Sequence, residues 1–244
     1  MEAIATCHLH SEWSYDGHLS LRDLSDKFRR RGSRILLMTE HDRGFSAHRF
    51  EEYRAACEDA SSDKILVIPG MEYSDPANRV HVLVWGTPFL GAGLPTGEML
   101  EAVNAAEGAA VLAHPARKGV WQDFEPQWVD RLTGVEVWNR KYDGWAPSRN
   151  ASNMVTPSNS IAFVGLDFHT DRQLFPLTMS FDLPETVNEE NVLKCLRSRS
   201  CSARAFGVPL DHNLLRRTMP ALGIAERGRR KASSIVKRTR AQTR

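Results

Sequence analysis

Six short apolar runs rich in β-branched residues recur along the chain: RILLMT (34–39), KILVIP (64–69), RVHVLVW (79–85), AAVLA (109–113), GVEVW (134–138) and IAFVG (161–165). Helical patterns lie between most of them. Ser20 and Asp23 make a capping-box-like start, followed by Leu21, Leu24 and Phe28 on one helical face. Phe50, Tyr53, Cys57 and Ala60 repeat that spacing. Strands alternating with helices confine the chain to parallel βα units, arranged either as a barrel or as an open doubly wound sheet. With 244 residues, 41% of them hydrophobic, the chain has enough apolar material for one large α/β core.

In such folds catalytic groups gather where strands end and loops begin. Several of these runs end on a metal-ligand residue type. The segment CHLHSEWSYDG (7–17) opens with His8 and His10, and residues i and i+2 of an extended strand share a face, so both rings can reach one ion. RILLMT runs into Glu40 and His41, KILVIP into Gly70 and Glu72, AAVLA into His114-Pro115, and IAFVG into Asp167 and His169. His81 lies instead at the start of its strand, where periodicity alone does not single it out.

Each of these has an ordinary alternative. His114-Pro115 can simply end a strand, Asp167 can cap a helix, and Glu72 can be a loop carboxylate. Five separated strand ends carrying His, Asp or Glu together point to a catalytic metal centre. Mixed imidazole and carboxylate donors suit Zn, Mn or Fe. The four cysteines, Cys7, Cys57, Cys195 and Cys201, lack the paired spacing of a structural zinc site or the density of a disulfide framework. They read as reduced thiols of a cytoplasmic protein. No apolar run approaches membrane-spanning length.

Taken in order, His8-Leu-His10-Ser with Ser14-Tyr15-Asp16-Gly17, Thr39-Glu40-His41-Asp42, Pro69-Gly70-Met71-Glu72, His81-Val-Leu-Val, Ala113-His114-Pro115 and Gly165-Leu-Asp167-Phe-His169 resemble the motifs of the PHP (polymerase and histidinol phosphatase) family of metal-dependent phosphoesterases. The resemblance covers roughly residues 5–206. It implies a distorted, TIM-barrel-like parallel β/α barrel with two or three divalent ions (Mn, Zn or Fe) at its C-terminal mouth. On this resemblance His8, His10, Glu72 and Asp167 hold one ion; Glu72 bridges to a second held by His81 and His114; Asp16, His41 and His169 hold a third. Glu72, His114 and His169 are thereby the catalytic candidates. Two positions depart from the family pattern. Thr6 stands where an aspartate is common, and Glu40 replaces the aspartate of Thr-Asp-His; both are expected behind the ligands, where they would orient imidazoles.

The implied reaction is in-line attack of a metal-bound hydroxide on phosphorus, with no covalent enzyme intermediate. The leading expectation is a small-molecule phosphomonoester such as a nucleotide, histidinol phosphate or another phosphorylated metabolite. The alternatives are a phosphodiesterase or nuclease, and a metal-stabilised interaction module, which would need far fewer ligands than nine. Arg43, Arg117, Lys118, Arg140, Lys141 and Arg172 follow strand ends and are candidates to meet phosphate oxygens, with Arg117, Arg43 and Arg140 the principal ones. Trp138, Asn139, Tyr142 and Trp145 can form a stacking wall or can pack. His18, near Asp16, is a candidate general acid or a surface residue.

The formal net charge of +2 conceals an asymmetry: residues 213–244 carry ten Lys/Arg and one acidic residue, Glu226, which leaves 22 basic and 29 acidic residues in 1–212. The expected division is a PHP-like domain, 1–212, followed by a basic C-terminal tail, 213–244. The tail reads as a solvated extension dispensable for turnover, or as a contact for nucleic acid or an anionic membrane surface.

Overall fold

The computed structural model describes residues 1–117, 120–155, 160–184, 186–210 and 221–232. Lys118 and, within the basic tail, residues 213–220 and 233–244 lie outside the described residues. Nine strands build the frame of the site: β1 (Glu2–Leu9), β2 (Ile35–Met38), β3 (Glu40–His41), β4 (Leu66–Ile68), β5 (Gly70–Ser74), β6 (His81–Trp85), β7 (Ala109–Leu112), β8 (Gly134–Asn139) and β9 (Ile161–Gly165). All six apolar runs are among them. Strands β2 and β3 are one extended segment interrupted at Thr39, and β4 and β5 are another interrupted at Pro69. The pairs Leu37↔Ile68 and Glu40↔Met71 keep one register across both breaks.

Following the pairings gives the order β1, β2/β3, β4/β5, β6, β7, β8, β9. The last strand returns to the first: Leu166 N–H donates to Cys7 O and Phe168 N–H to His8 O, each at 3.0 Å, and Leu9 bridges to Phe168 in parallel. The result is the expected TIM-barrel-like arrangement with one reversal. β6 runs antiparallel to both β5 and β7, pairing Ser74 with His81 and Trp85 with Ala109. A reversed strand begins at the end where its neighbours finish, which puts His81 at the mouth from the first residue of its strand. A purely parallel barrel therefore does not describe this chain. β10 (Leu177–Asp182), β11 (Cys201–Ala205) and β12 (Val208–Pro209) extend the sheet antiparallel from the N-terminal half of β1, on the edge opposite β2.

Helices α1 (Leu21–Arg29), α2 (Ala47–Ala60), α3 (Thr96–Ala105), α4 (Val120–Asp123), α5 (Arg149–Met154) and α6 (Glu189–Arg197) lie between strands. α1 starts as its sequence dictates: the Ser20 side chain accepts from Asp23 N–H, a cap of about 1 kcal/mol. It buries Leu21, Leu24 and Phe28, and α2 buries Phe50, Tyr53, Cys57 and Ala60. Residues 221–232 form a further helix, α7. Strands β2 to β9 are buried on both faces almost throughout, with Trp85, Tyr53, Phe163 and Phe168 among the largest fully enclosed side chains. The four cysteines are free thiols. Among the described residues no helix is long and apolar enough to cross a membrane.

Candidate metal centre

The strand ends converge on one carboxylate. Glu72, 1% exposed, receives five imidazoles: His8 Nε2 and His10 Nε2 at 3.3 Å and His41 Nδ1 at 3.4 Å from Oε2, and His81 Nδ1 at 2.7 Å and His114 Nε2 at 2.8 Å from Oε1. Asp167 Oδ1 lies 3.7 Å from His8 Nε2 and 3.6 Å from His10 Nε2. Asp16 completes the far side, with Oδ1 3.4 Å from His41 Nε2 and Oδ2 2.9 Å from His169 Nε2. All nine ligand candidates read from the sequence thus stand in one cluster. Their donor atoms form four overlapping groups within 4.8 Å: His10, Asp16, His41 and His169; His8, His10 and Glu72; His8, His114 and Asp167; Glu72, His81 and His114.

The backbone is bent to achieve this. His8, His114 and Asp167 have φ of +59°, +28° and +48°, a region that side-chain-bearing residues avoid at a cost of about 1–3 kcal/mol each. At His8 the β1–β2 register slips between Cys7 and Leu9, so a bulge turns that ring inward. Gly165 makes room beside it, since a Cβ there would run into the Glu136 carboxylate and into Cβ of His8.

Protons alone do not satisfy this cluster. His10 Nε2, His114 Nδ1, Asp16 Oδ1 and Asp167 Oδ2 are buried without a hydrogen-bond partner. Burial, reinforced by the positive neighbours His41 and His169 and only partly offset by Glu72, pushes His10 down to about 3, so its ring is neutral with a free lone pair. Glu72 and Asp167 are held well below the ordinary carboxylate range despite burial, chiefly by His8 in both cases. Asp16 is likewise depressed against its burial by His169 and His41. Imidazoles facing ionised carboxylates in a buried pocket, with several of their donor atoms unpartnered, are the donor set divalent cations take as the rings give up their protons, and the residues fit such ions.

Behind the ligands stand groups that aim them. Glu136, fully buried, is 2.8 Å from His8 Nδ1 and accepts from His114 N–H at 2.7 Å and Asn139 Nδ2 at 2.9 Å. The sequence reading passed over it, although a lone carboxylate inside the apolar run GVEVW was the available signal. Glu40 accepts from Ser11 N–H (2.9 Å), Ser11 Oγ (2.7 Å) and Ser14 Oγ, and Ser14 Oγ lies 3.3 Å from His10 Nδ1. Glu40 therefore sits one hydroxyl away from a ligand ring. Thr6 does not take the expected place: its hydroxyl pairs with Ser33 Oγ at 2.6 Å.

The candidate cations separate by position. Arg117 Nη1 lies directly against His81 Nε2. Lys141 Nζ is 3.1 Å from Asp167 Oδ1 and 3.4 Å from His169 Nε2, and although burial would lower its pKa, the Asp167 charge raises it. Arg43 is exposed, and its charge acts on the Tyr15 hydroxyl. Arg140 lies 5.0 Å above the Phe175 ring and donates to the carbonyl of the exposed Arg172. His18 is exposed and belongs to none of the four ligand groups. Of the four wall residues, Trp138 is a packing residue, 1% exposed with Nε1–H on Gly144 O, and buried Asn139 is a hydrogen-bond hub. Tyr142 places its ring 4.6 Å from that of His114, and Trp145 is 43% exposed. Tyr15, 72% exposed, stacks on His41 at 5.0 Å and leaves its other face to solvent.

Solved structures share this architecture. A two-domain protein from Bacteroides vulgatus containing a predicted PHP-like metal-dependent phosphoesterase matches at TM-score 0.67 and 18% identity, over 88% of this chain and 68% of that one. PsfC from Pseudomonas syringae matches at 0.60 and 18% identity, over 95% and 98% of the two chains. The lesion-specific endonuclease PfuEndoQ from Pyrococcus furiosus matches at 0.57 and 14% identity over 81% of this chain, which spans 56% of that enzyme. No protein-family model and no curated protein matches the sequence. Likeness at these identities establishes the fold: the chain has the barrel found in PHP-like metal-dependent phosphoesterases.

Proposed function

We propose that this protein is a metal-dependent phosphoesterase that hydrolyses a small-molecule phosphomonoester. The observation that carries the reading is the buried Glu72 ringed by five imidazoles, with Asp16, Asp167 and His169 completing nine ligands at the barrel mouth. In this reading His8, His10, Glu72 and Asp167 hold one divalent ion, Glu72, His81 and His114 a second, and Asp16, His41 and His169 a third. When bound, such ions supply Lewis acidity and lower the pKa of coordinated water.

The chain's own residues do the rest. Lys141 and Arg117 reach different members of the ligand cluster, one against Asp167 and His169, the other against His81. Two cations so placed grip the non-bridging oxygens of a phosphoryl group between them. Glu136 and the Glu40–Ser14 pair keep His8 and His10 in the orientation that presents Nε2 inward.

A second reading, a phosphodiesterase or nuclease, is favoured by the fold likeness to the P. furiosus endonuclease. The experiment that separates the two is hydrolysis of a generic monoester and a generic diester, side by side, by protein loaded with Mn²⁺ or Zn²⁺. The Glu72→Gln protein serves as the contamination control. Preferential monoester cleavage, lost in the variant, supports the first reading; diester preference replaces it with the second.

A further inference from the structure

Helix α7 carries a buried carboxylate in a basic setting. Glu226 is 6% exposed, and both its oxygens are fully engaged. Oε1 accepts from Arg229 Nη2 at 2.7 Å and Arg230 Nε at 2.6 Å; Oε2 accepts from Arg229 Nε at 2.7 Å and from the backbone N–H of Trp145 at 3.1 Å. Arg230 reaches further and donates through Nη2 to the carbonyls of Tyr142 (2.9 Å) and Asp143 (3.3 Å). The Arg229 guanidinium lies 5.7 Å above the Trp145 ring. Gly144 has φ +77°, and a Cβ on it would strike the Glu226 carboxylate. The helix thus grips four consecutive residues of one loop, 142–145, chiefly through their backbone.

That loop belongs to the site. Its inner side is tied by Asn139, whose Oδ1 accepts from Lys141 N–H (3.0 Å) and Tyr142 N–H (3.1 Å). Its side chains are Lys141, on Asp167 and His169, and Tyr142, on His114. Lys141 has a long flexible stem, so where its ammonium rests depends on where the backbone of this turn is fixed. Asn139 holds the turn from inside the barrel and α7 holds it from outside. Two of the tail's arginines are therefore committed to Glu226 and the loop.

We propose that α7 is a working part of the active site, with Glu226 and Arg230 acting as positioning residues that hold the 139–145 turn so that Lys141 meets the substrate's phosphoryl oxygens. This rests on the phosphate-ester reading above and reverses the expectation that residues 213–244 are dispensable. The test uses full-length, Mn²⁺-loaded protein and two readouts that require no turnover. Hydrogen exchange of the 142–145 amides should accelerate at least tenfold in Glu226→Ala and Arg230→Ala, while β7 amides stay protected. Affinity for inorganic phosphate, measured by calorimetry, should weaken roughly 2- to 30-fold in Glu226→Ala and at least as much in Lys141→Ala. The double variant should bind no more weakly than Lys141→Ala alone. Glu226→Gln, which keeps an acceptor for Trp145 N–H, should recover part of the loss. Unchanged exchange in the loop overturns the clamp. Additive losses, or wild-type protein that does not bind phosphate, overturn its action through Lys141. A protein that binds phosphate and shows the coupling but cleaves neither ester retains the clamp and loses the hydrolase assignment, so the two failures are distinguishable.

Discussion

His8 has a carboxylate on each edge of its ring: Nδ1 is 2.8 Å from Glu136 Oε1, and Nε2 faces Glu72 Oε2 at 3.3 Å. A carboxylate oxygen against Nδ1 takes that nitrogen's proton in a hydrogen bond, so Nε2 is the atom that offers a lone pair toward Glu72 and Asp167 when an ion is held. Glu136 also accepts from His114 N–H, so one buried carboxylate engages two candidate ligands from strands that are not paired with each other. Glu136→Gln retains the volume but loses the charge that enforces this tautomer. Divalent-metal affinity should fall about 10- to 100-fold, with far-ultraviolet circular dichroism unchanged. Titration of the apo-protein with Mn²⁺ or Zn²⁺ checks it, and wild-type affinity would reduce Glu136 to a packing residue.

Glu72 is shared by five rings, and Glu72→Gln removes the charge common to two of the four ligand groups while keeping the shape. Metal content per chain should fall, and kcat/KM for the cleaved ester should drop at least about 100-fold. Metal analysis of the purified variant beside its kinetics is decisive. Near-wild-type turnover would remove Glu72 from the bridging position.

Arg117 sits against His81 at the edge of the site rather than among the ligands. Under the phosphate-ester reading, a guanidinium there would contribute a charge-assisted contact to the phosphate in ground and transition states alike. Arg117→Ala should therefore raise KM about 10-fold or more with kcat little changed. Saturation kinetics on the cleaved ester distinguish this from loss of both parameters, which would place Arg117 in the chemical step. Unchanged KM and kcat would leave it an ordinary charged loop residue.

The strand-end ligands were legible because strand periodicity and donor chemistry coincide there: His8/His10 and Asp167/His169 occupy i and i+2, and Glu72 follows a Pro-Gly turn. His81 was legible only through the family resemblance, because the reversal of β6 is a pairing decision that no local pattern records. Glu136 was hidden for a related reason. Its importance comes from its contacts with His8 and His114 on two other segments, and its own segment reads as an ordinary strand. At Arg140 strand-end position alone did not show that an aromatic ring and a carbonyl engage the guanidinium. Composition gave no sign of the contact that residues 221–232 make with the 142–145 loop. The tail's single acidic residue, swamped in a count of ten cations, is the one that docks the helix.

Asp143 lies between the metal site and α7, 7% exposed, and accepts from Asn139 N–H at 2.7 Å. Burial, with the nearby charges of Glu136 and Glu226, pushes its carboxyl up to about 8 against the Asn139 hydrogen bond and the Arg230 charge. In the unfolded chain an aspartate titrates near 3.9. Below about pH 4 both states are protonated and the group has no net effect on stability. Between about pH 4 and 8 the unfolded chain loses its proton while the folded one keeps it, so stability declines as pH rises. Above about 8 both are ionised and the penalty stays constant. Asp143→Asn keeps an acceptor for Asn139 N–H and has no such titration. Its Tm relative to wild type should rise progressively from pH 5 to about 8 and then level off, while titrations common to both proteins cancel. Thermal melts of the two proteins across that range measure the difference directly, and a gap independent of pH would show that Asp143 is already ionised in the folded protein.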